Sequence, residues 1–195
     1  MQSKRTKIVI KADARTRERY IRNIVATYGR ATADQLVRGG SWYSTAHSLA
    51  AFISGGDVRT GAGVIAVLSA NKGWSLNMKL ATDACAGKIH GHTEVMLDKV
   101  RKILGGVDPA DVLNGPKTSN FFRNIVDQAD AHSVTIDRHA HDIAVGVRYG
   151  DRDRGLGAAG RYNLLADCYR EAARRLGVLP SVVQATTWVT WIDAA

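Results

Sequence analysis

The sequence predicts an all-α protein. Apolar residues recur at three- and four-residue spacing, helix-start signals precede several of these stripes, and glycines close them. Ile21, Ile24, Val25 and Tyr28 form the first stripe. Thr32 followed by Gln35 has the spacing of a capping box, and Gly39-Gly40 stops the short helix it opens. Trp42, Ala46, Leu49, Ala50 and Ile53 make the next stripe, and a further helix runs from about Thr60 through Val64, Ile65, Val67 and Leu68. After Trp74, Leu76, Leu80 and Cys85 are expected inward. Met96, Val100, Ile103 and Leu104 follow, ended by Gly105-Gly106.

Asp108-Pro109 joins an N-cap residue to a first-turn proline, so a helix starts there. It has under two turns before Asn114-Gly115-Pro116 breaks it. A new helix near Lys117 carries Phe121, Phe122 and Ile125 on one face, giving two short helices joined by a tight turn across 108–126. After Asp137, Ile143, Ala144 and Val147 mark another helix. The glycine- and arginine-rich stretch 148–161 is expected as a mobile loop. Tyr162, Leu165, Ala166, Tyr169, Ala173 and Leu176 form the longest stripe, closed by Gly177, and Pro180 opens a last helix carrying Gln184, Trp188 and Trp191.

The 195 residues suit one domain, with 1–19 as a basic, partly ordered arm and 20–195 as the helical body. No run approaches the ~20 apolar residues that span a bilayer, so the reading is a cytoplasmic chain without a membrane partner. Lys and Arg outnumber Asp and Glu 27 to 18, a net charge of +9. That excess favours a polyanion, and nucleic acid before membrane, because each cation near a phosphate releases a counterion. Cys85 and Cys168 are the only cysteines, which excludes a four-cysteine iron–sulfur cluster and a zinc finger.

Three strings, in order, resemble the helix-hairpin-helix DNA glycosylase superfamily of the endonuclease III type. Leu68-Ser69-Ala70-Asn71 looks like the family's "leu-ser-ala-gln" segment. Leu113-Asn114-Gly115-Pro116-Lys117-Thr118 looks like its hairpin and the lysine after it. Ile136-Asp137-Arg138-His139 looks like its "val-asp-thr-his". Gly115-Pro116-Lys117, Asp137-Arg138-His139 and the Gln184…Trp188 ending also resemble phage-associated relatives implicated in thymine hypermodification. The chain keeps one hairpin glycine where the family usually has two, and Pro116 deletes an N–H that could meet a phosphate.

The resemblance implies a two-lobed helix-hairpin-helix glycosylase fold with duplex DNA between the lobes, in a bacterial or phage-infected cell. The iron–sulfur cysteines are absent, as they are in many members, and no side-chain metal site is expected, while the resemblance allows a monovalent cation on the hairpin backbone. The implied activity is excision of an extruded base, with an associated lyase step if Lys117 reaches the sugar. Asp137 would stabilise the positive charge developing at the anomeric carbon, or activate water. Lys117, as a neutral amine, would attack that carbon. Asn71 would fill the gap left in the base stack. Lys72, Asn114, Gly115, Lys117, Thr118, His139, Arg152 and Arg154 would contact DNA, largely at the backbone. Two alternatives share the fold: a transferase acting on a hypermodified pyrimidine, and a catalytically silent DNA-binding module.

Each residue also has a plainer role. Asp137 at a helix start is an N-cap, Lys117 a phosphate contact or exposed charge, and Asn71 a helix C-cap. His139 and His141 lie two apart on a helix, so with Asp142 they point different ways rather than forming one metal site. His90, His92 and Glu94 read as loop residues before a helix. Trp74 either stacks on a base or packs in the core, and Trp188 and Trp191 read as packing residues.

Overall fold

A computed structural model describes residues 12–194. Eleven helices account for its regular structure, and no strand occurs among the described residues. They are α1 (Ala14–Gly29), α2 (Ala33–Gly40), α3 (Trp42–Ile53), α4 (Val58–Leu68), α5 (Trp74–Cys85) and α6 (Glu94–Leu104). The rest are α7 (Pro109–Val112), α8 (Pro116–Val126), α9 (Arg138–Val145), α10 (Arg161–Leu176) and α11 (Pro180–Asp193). The all-α expectation therefore holds. Residues 1–11 of the expected arm lie outside the described residues. From Ala14 the arm segment is already helix, capped by the Asp13 carboxylate on the Thr16 amide at 2.6 Å.

The chain divides into two compact units: Ser41–Thr135, and a discontinuous unit from Met1–Gly40 with Ile136–Ala195. The first is organised around α4, buried without interruption from Gly61 to Leu68 and packed by α3, α5, α6, α7 and α8. A helix apolar on every side has to be central. Two glycines let its neighbours close in. A Cβ at Gly61 would lie 2.1 Å from the Ala50 carbonyl oxygen, and one at Gly63 would lie 2.6 Å from the Pro109 ring.

The discontinuous unit packs α1 on α9, α10 and α11, and α2 on α11. Helix α11 is buried along most of its length although it is rich in hydroxyls. Thr190 and Thr187 donate to backbone carbonyls of their own helix, at 2.8 and 3.1 Å, which permits their burial. Gly39 passes so close to Thr186 that any Cβ would overlap it, at 2.3 Å.

Three apolar positions of the expected stripes are exposed, among them Leu104 in the last turn of α6. Leu76 is 45% exposed because the buried stripe of α5 runs through Asn77, Leu80, Ala81 and Ala84. Val147 is 49% exposed because α9 stops at Val145, where Gly146 turns left-handed at φ 83°. Trp188 and Trp191 are half-buried, whereas Gln184 is in the core.

Candidate functional site

In the continuous unit, α7 and α8 are two short helices in the 108–126 segment, joined by a tight turn. Asp108 caps α7 by accepting from the Ala110 amide at 2.7 Å, and Arg59 grips the same carboxylate with two hydrogen bonds. The turn Leu113–Gly115 delivers the chain to Pro116, the first residue of α8. Gly115 has no side chain to cap the helix, so the Lys117 and Thr118 amides at its positive end carry no side-chain cap.

The hairpin carbonyls are already in use. Ser119 donates its hydroxyl to Leu113 O at 2.9 Å, and Thr118 donates to Gly115 O at 3.1 Å. Asn114 is exposed and accepts from Lys99 at 2.7 Å. Lys117 is half-buried and makes no ion pair among the described residues.

Lys117 and Phe121 are one turn apart and share a face of α8. The Phe121 ring is 5.8 Å from that of Trp42, which is 4.8 Å from that of Trp74. Trp42 thus joins the hairpin string to the Leu68–Trp74 string. Between α4 and α5, Asn71 adopts φ 57°, the one left-handed non-glycine residue among those described, with its side chain exposed. That backbone closes the turn after α4, as a C-cap asparagine does, and leaves the amide facing solvent. His92 fastens the same turn, donating Nε2–H to Ala70 O at 2.9 Å and accepting from the Thr93 amide on Nδ1. Lys72 follows, half-buried.

In the discontinuous unit, Asp137 is the N-cap of α9. One carboxylate oxygen accepts from the Ala140 amide at 2.8 Å, and the other has no partner among the described residues. Two tyrosines of α10 fix its surroundings: Tyr162 accepts from the Ile136 amide at 3.1 Å, and Tyr169 donates to Ala140 O at 3.2 Å. His139 is half-buried and accepts from Arg138 at 3.2 Å. Burial holds its ring below the ordinary histidine value against the opposing pull of Asp137, so it offers a neutral acceptor rather than a cation.

Behind the cap lies a buried charge network. His141 donates Nδ1–H to Asp142 at 2.9 Å and accepts from Arg161 on Nε2 at 2.9 Å, because a guanidinium can only donate. Burial lowers the His141 value, opposed by its bond to Asp142. Arg154 clasps Asp142 with two hydrogen bonds of 2.8 Å, and the Tyr149 amide adds a third at 3.0 Å. Burial would raise the Asp142 carboxyl, but these donors outweigh it and hold it below the usual aspartate value.

The expected DNA-contacting arginines therefore part company. Arg154 anchors its loop to the core. Arg152 is exposed, its guanidinium stacked on Tyr149 at 4.4 Å and bonded only to backbone carbonyls. His139, His141 and Asp142 do not converge, and no group that could hold a metal ion occurs among the described residues.

The chain belongs to the DUF7178 family. This is a family of unknown function, and its match covers residues 6–195. No curated protein and no solved structure matches the chain.

For this DUF7178 chain, the sequence pointed to Asp137, Lys117 and the Asn71 turn but not to Trp42 or the Arg154–Asp142–His141–Arg161 network. Trp42 is one apolar member of a stripe until its ring neighbours are known. The network had one local signal, the adjacent His141-Asp142 pair within a helix. Such a pair, once buried, needs a counter-charge from elsewhere in the chain.

Proposed function

We propose that this protein binds duplex DNA and excises an extruded base, as a glycosylase. The observation that carries the reading is Asp137, a carboxylate at a helix start with one oxygen capping the backbone and the other unbonded. An anion held this way suits stabilisation of positive charge at an anomeric carbon, or activation of a water. The uncapped amides at the start of α8 and the positive net charge suit phosphate binding. Lys117 supplies either a phosphate contact or an amine nucleophile, and Asn71 is the residue that would enter the base stack.

The test is base release from duplexes carrying uracil, oxidised, alkylated or hypermodified bases. Release of at least one base is expected, with a loss of about a hundredfold or more in Asp137→Asn. Failure to free any base or generate an abasic site from any of them would overturn the proposal. Borohydride trapping then separates the roles of Lys117, since only an amine nucleophile gives a reduced covalent adduct.

Pro116 favours a second reading. It occupies the first position of α8 and removes an amide that a glycosylase hairpin would offer, and the Gly115-Pro116-Lys117 string resembles phage-associated proteins implicated in thymine hypermodification. On that reading Asp137 serves a transferase that attaches a small group to a modified pyrimidine. Mass spectrometry of nucleosides from treated phage DNA distinguishes a heavier nucleoside from a released base.

A further inference from the structure

The discontinuous unit contains a cavity of about 480 Å³ away from the Asp137 cap, among the end of α1, the start of α2 and the last turn of α11. Its polar lining is almost entirely spent. Thr32 and Gln35 hold each other in a reciprocal capping box, and Gln35 also donates to Asp193 at 3.0 Å. Thr27 and Thr190 donate to carbonyls of their own helices. Asp193, the one carboxylate among the described lining residues, pairs with Arg38 and accepts from Gln35 on the same oxygen.

The other charged groups of the lining are both cationic. Arg30 gives one hydrogen bond, to Thr27, and forms no ion pair. Arg148 lies over the Trp191 ring at 4.4 Å and donates to Trp191 O, again without a carboxylate. Two guanidiniums without a carboxylate partner, beside an Asp193 carboxylate already neutralised by Arg38, make the lining complementary to an anion. Stacking on Trp191 fixes the Arg148 plane before any ligand arrives, which lowers the ordering cost of binding. The volume is that of a small-molecule site, larger than a bare inorganic ion needs.

We infer that this cavity binds the phosphate group of a phosphorylated ligand of about mononucleotide size, through Arg30 and Arg148. The inference does not rest on the DNA-glycosylase reading, because none of these residues belongs to that site.

Calorimetric titration of the full chain with adenosine 5′-monophosphate, adenosine, inorganic phosphate and a short single-stranded DNA tests it. The monophosphate binds and adenosine does not. Arg30→Gln and Arg148→Gln each weaken binding by about tenfold or more. Asp137→Asn and Lys117→Ala leave binding intact. Binding of the oligonucleotide alone, with the same dependence on Arg30 and Arg148, assigns the phosphate to a nucleic-acid strand and retains the site. Equal binding of adenosine, absence of binding by every phosphate probe, or indifference to Arg30→Gln and Arg148→Gln overturns the proposal.

Discussion

Asp142 is 5% exposed and receives four hydrogen bonds, two from Arg154 and one each from His141 and the Tyr149 amide. A buried carboxylate tolerates ionisation only while such donors stay in place. Arg154→Ala should therefore destabilise the protein by about 3–5 kcal/mol, as removal of one partner of a buried ion pair does. Chemical denaturation measures this, and a loss no larger than that of a surface arginine would refute the pairing. The same network sets a pH dependence. His141 titrates below its ordinary value of about 6.5, so between the two values the unfolded chain binds more protons than the folded one. Stability is then complete above about pH 6.5 and falls as the pH drops through that window, with His139 acting in the same direction. Asp142 adds a second loss only below about pH 4, where its carboxylate protonates. Melting temperatures should fall from pH 7.5 to pH 5.5, and His141→Gln should flatten that slope. An equally steep slope in the variant would remove His141 from the account.

Helix termini were the most legible part of the sequence, because their signals are local. Thr32 and Gln35 do exchange side-chain bonds with each other's amides, Asp108-Pro109 does open α7, and Gly177 does end α10 in the left-handed conformation. Helix-to-helix spacing was not legible. Nothing near Gly61 in sequence says that Ala50 lies across from it, and Trp42 becomes a hub only through rings from α5 and α8. Asp137 was readable for the same reason as the other caps, whereas Arg154 reaches Asp142 across twelve positions of loop. Substitutions should reflect this difference. Thr32→Ala removes one reciprocal cap and should cost about 1 kcal/mol. Gly61→Ala drives a methyl onto backbone that cannot rotate aside, and should cost at least about 3 kcal/mol. Gly29→Ala, with nothing within 4 Å of the added carbon, should be neutral or slightly stabilising. Urea midpoints should be highest for Gly29→Ala, lower for Thr32→Ala and lowest for Gly61→Ala, and a tolerated Gly61→Ala would mean that α3 and α4 are not in close contact.

At the scale of the whole chain, the positive charge is unevenly divided. Residues 1–40 and 136–195 carry 18 Lys and Arg against 10 Asp and Glu, while residues 41–135, which include the hairpin, carry nine against eight. If the protein binds DNA as proposed, the hairpin offers amides and one lysine, whereas most of the excess positive charge lies in residues 1–40 and 136–195. Many of those arginines are already committed: Arg175 holds Glu18 and Glu171, and Arg154 holds Asp142. A committed arginine releases few counterions, because its charge is matched before DNA arrives. Arg152 is exposed and bonded only to neutral carbonyls, so its charge is available. Each phosphate contact contributes about 0.9 to the slope of log affinity against log salt. Arg152→Gln should lower that slope by about 0.9 across duplexes of different sequence, whereas Arg175→Gln, which removes the same formal charge, should leave it nearly unchanged. Fluorescence anisotropy over a salt series measures both. Equal reductions would mean that net charge alone attracts the polyanion, and a flat salt dependence in the parent chain would exclude DNA as its partner.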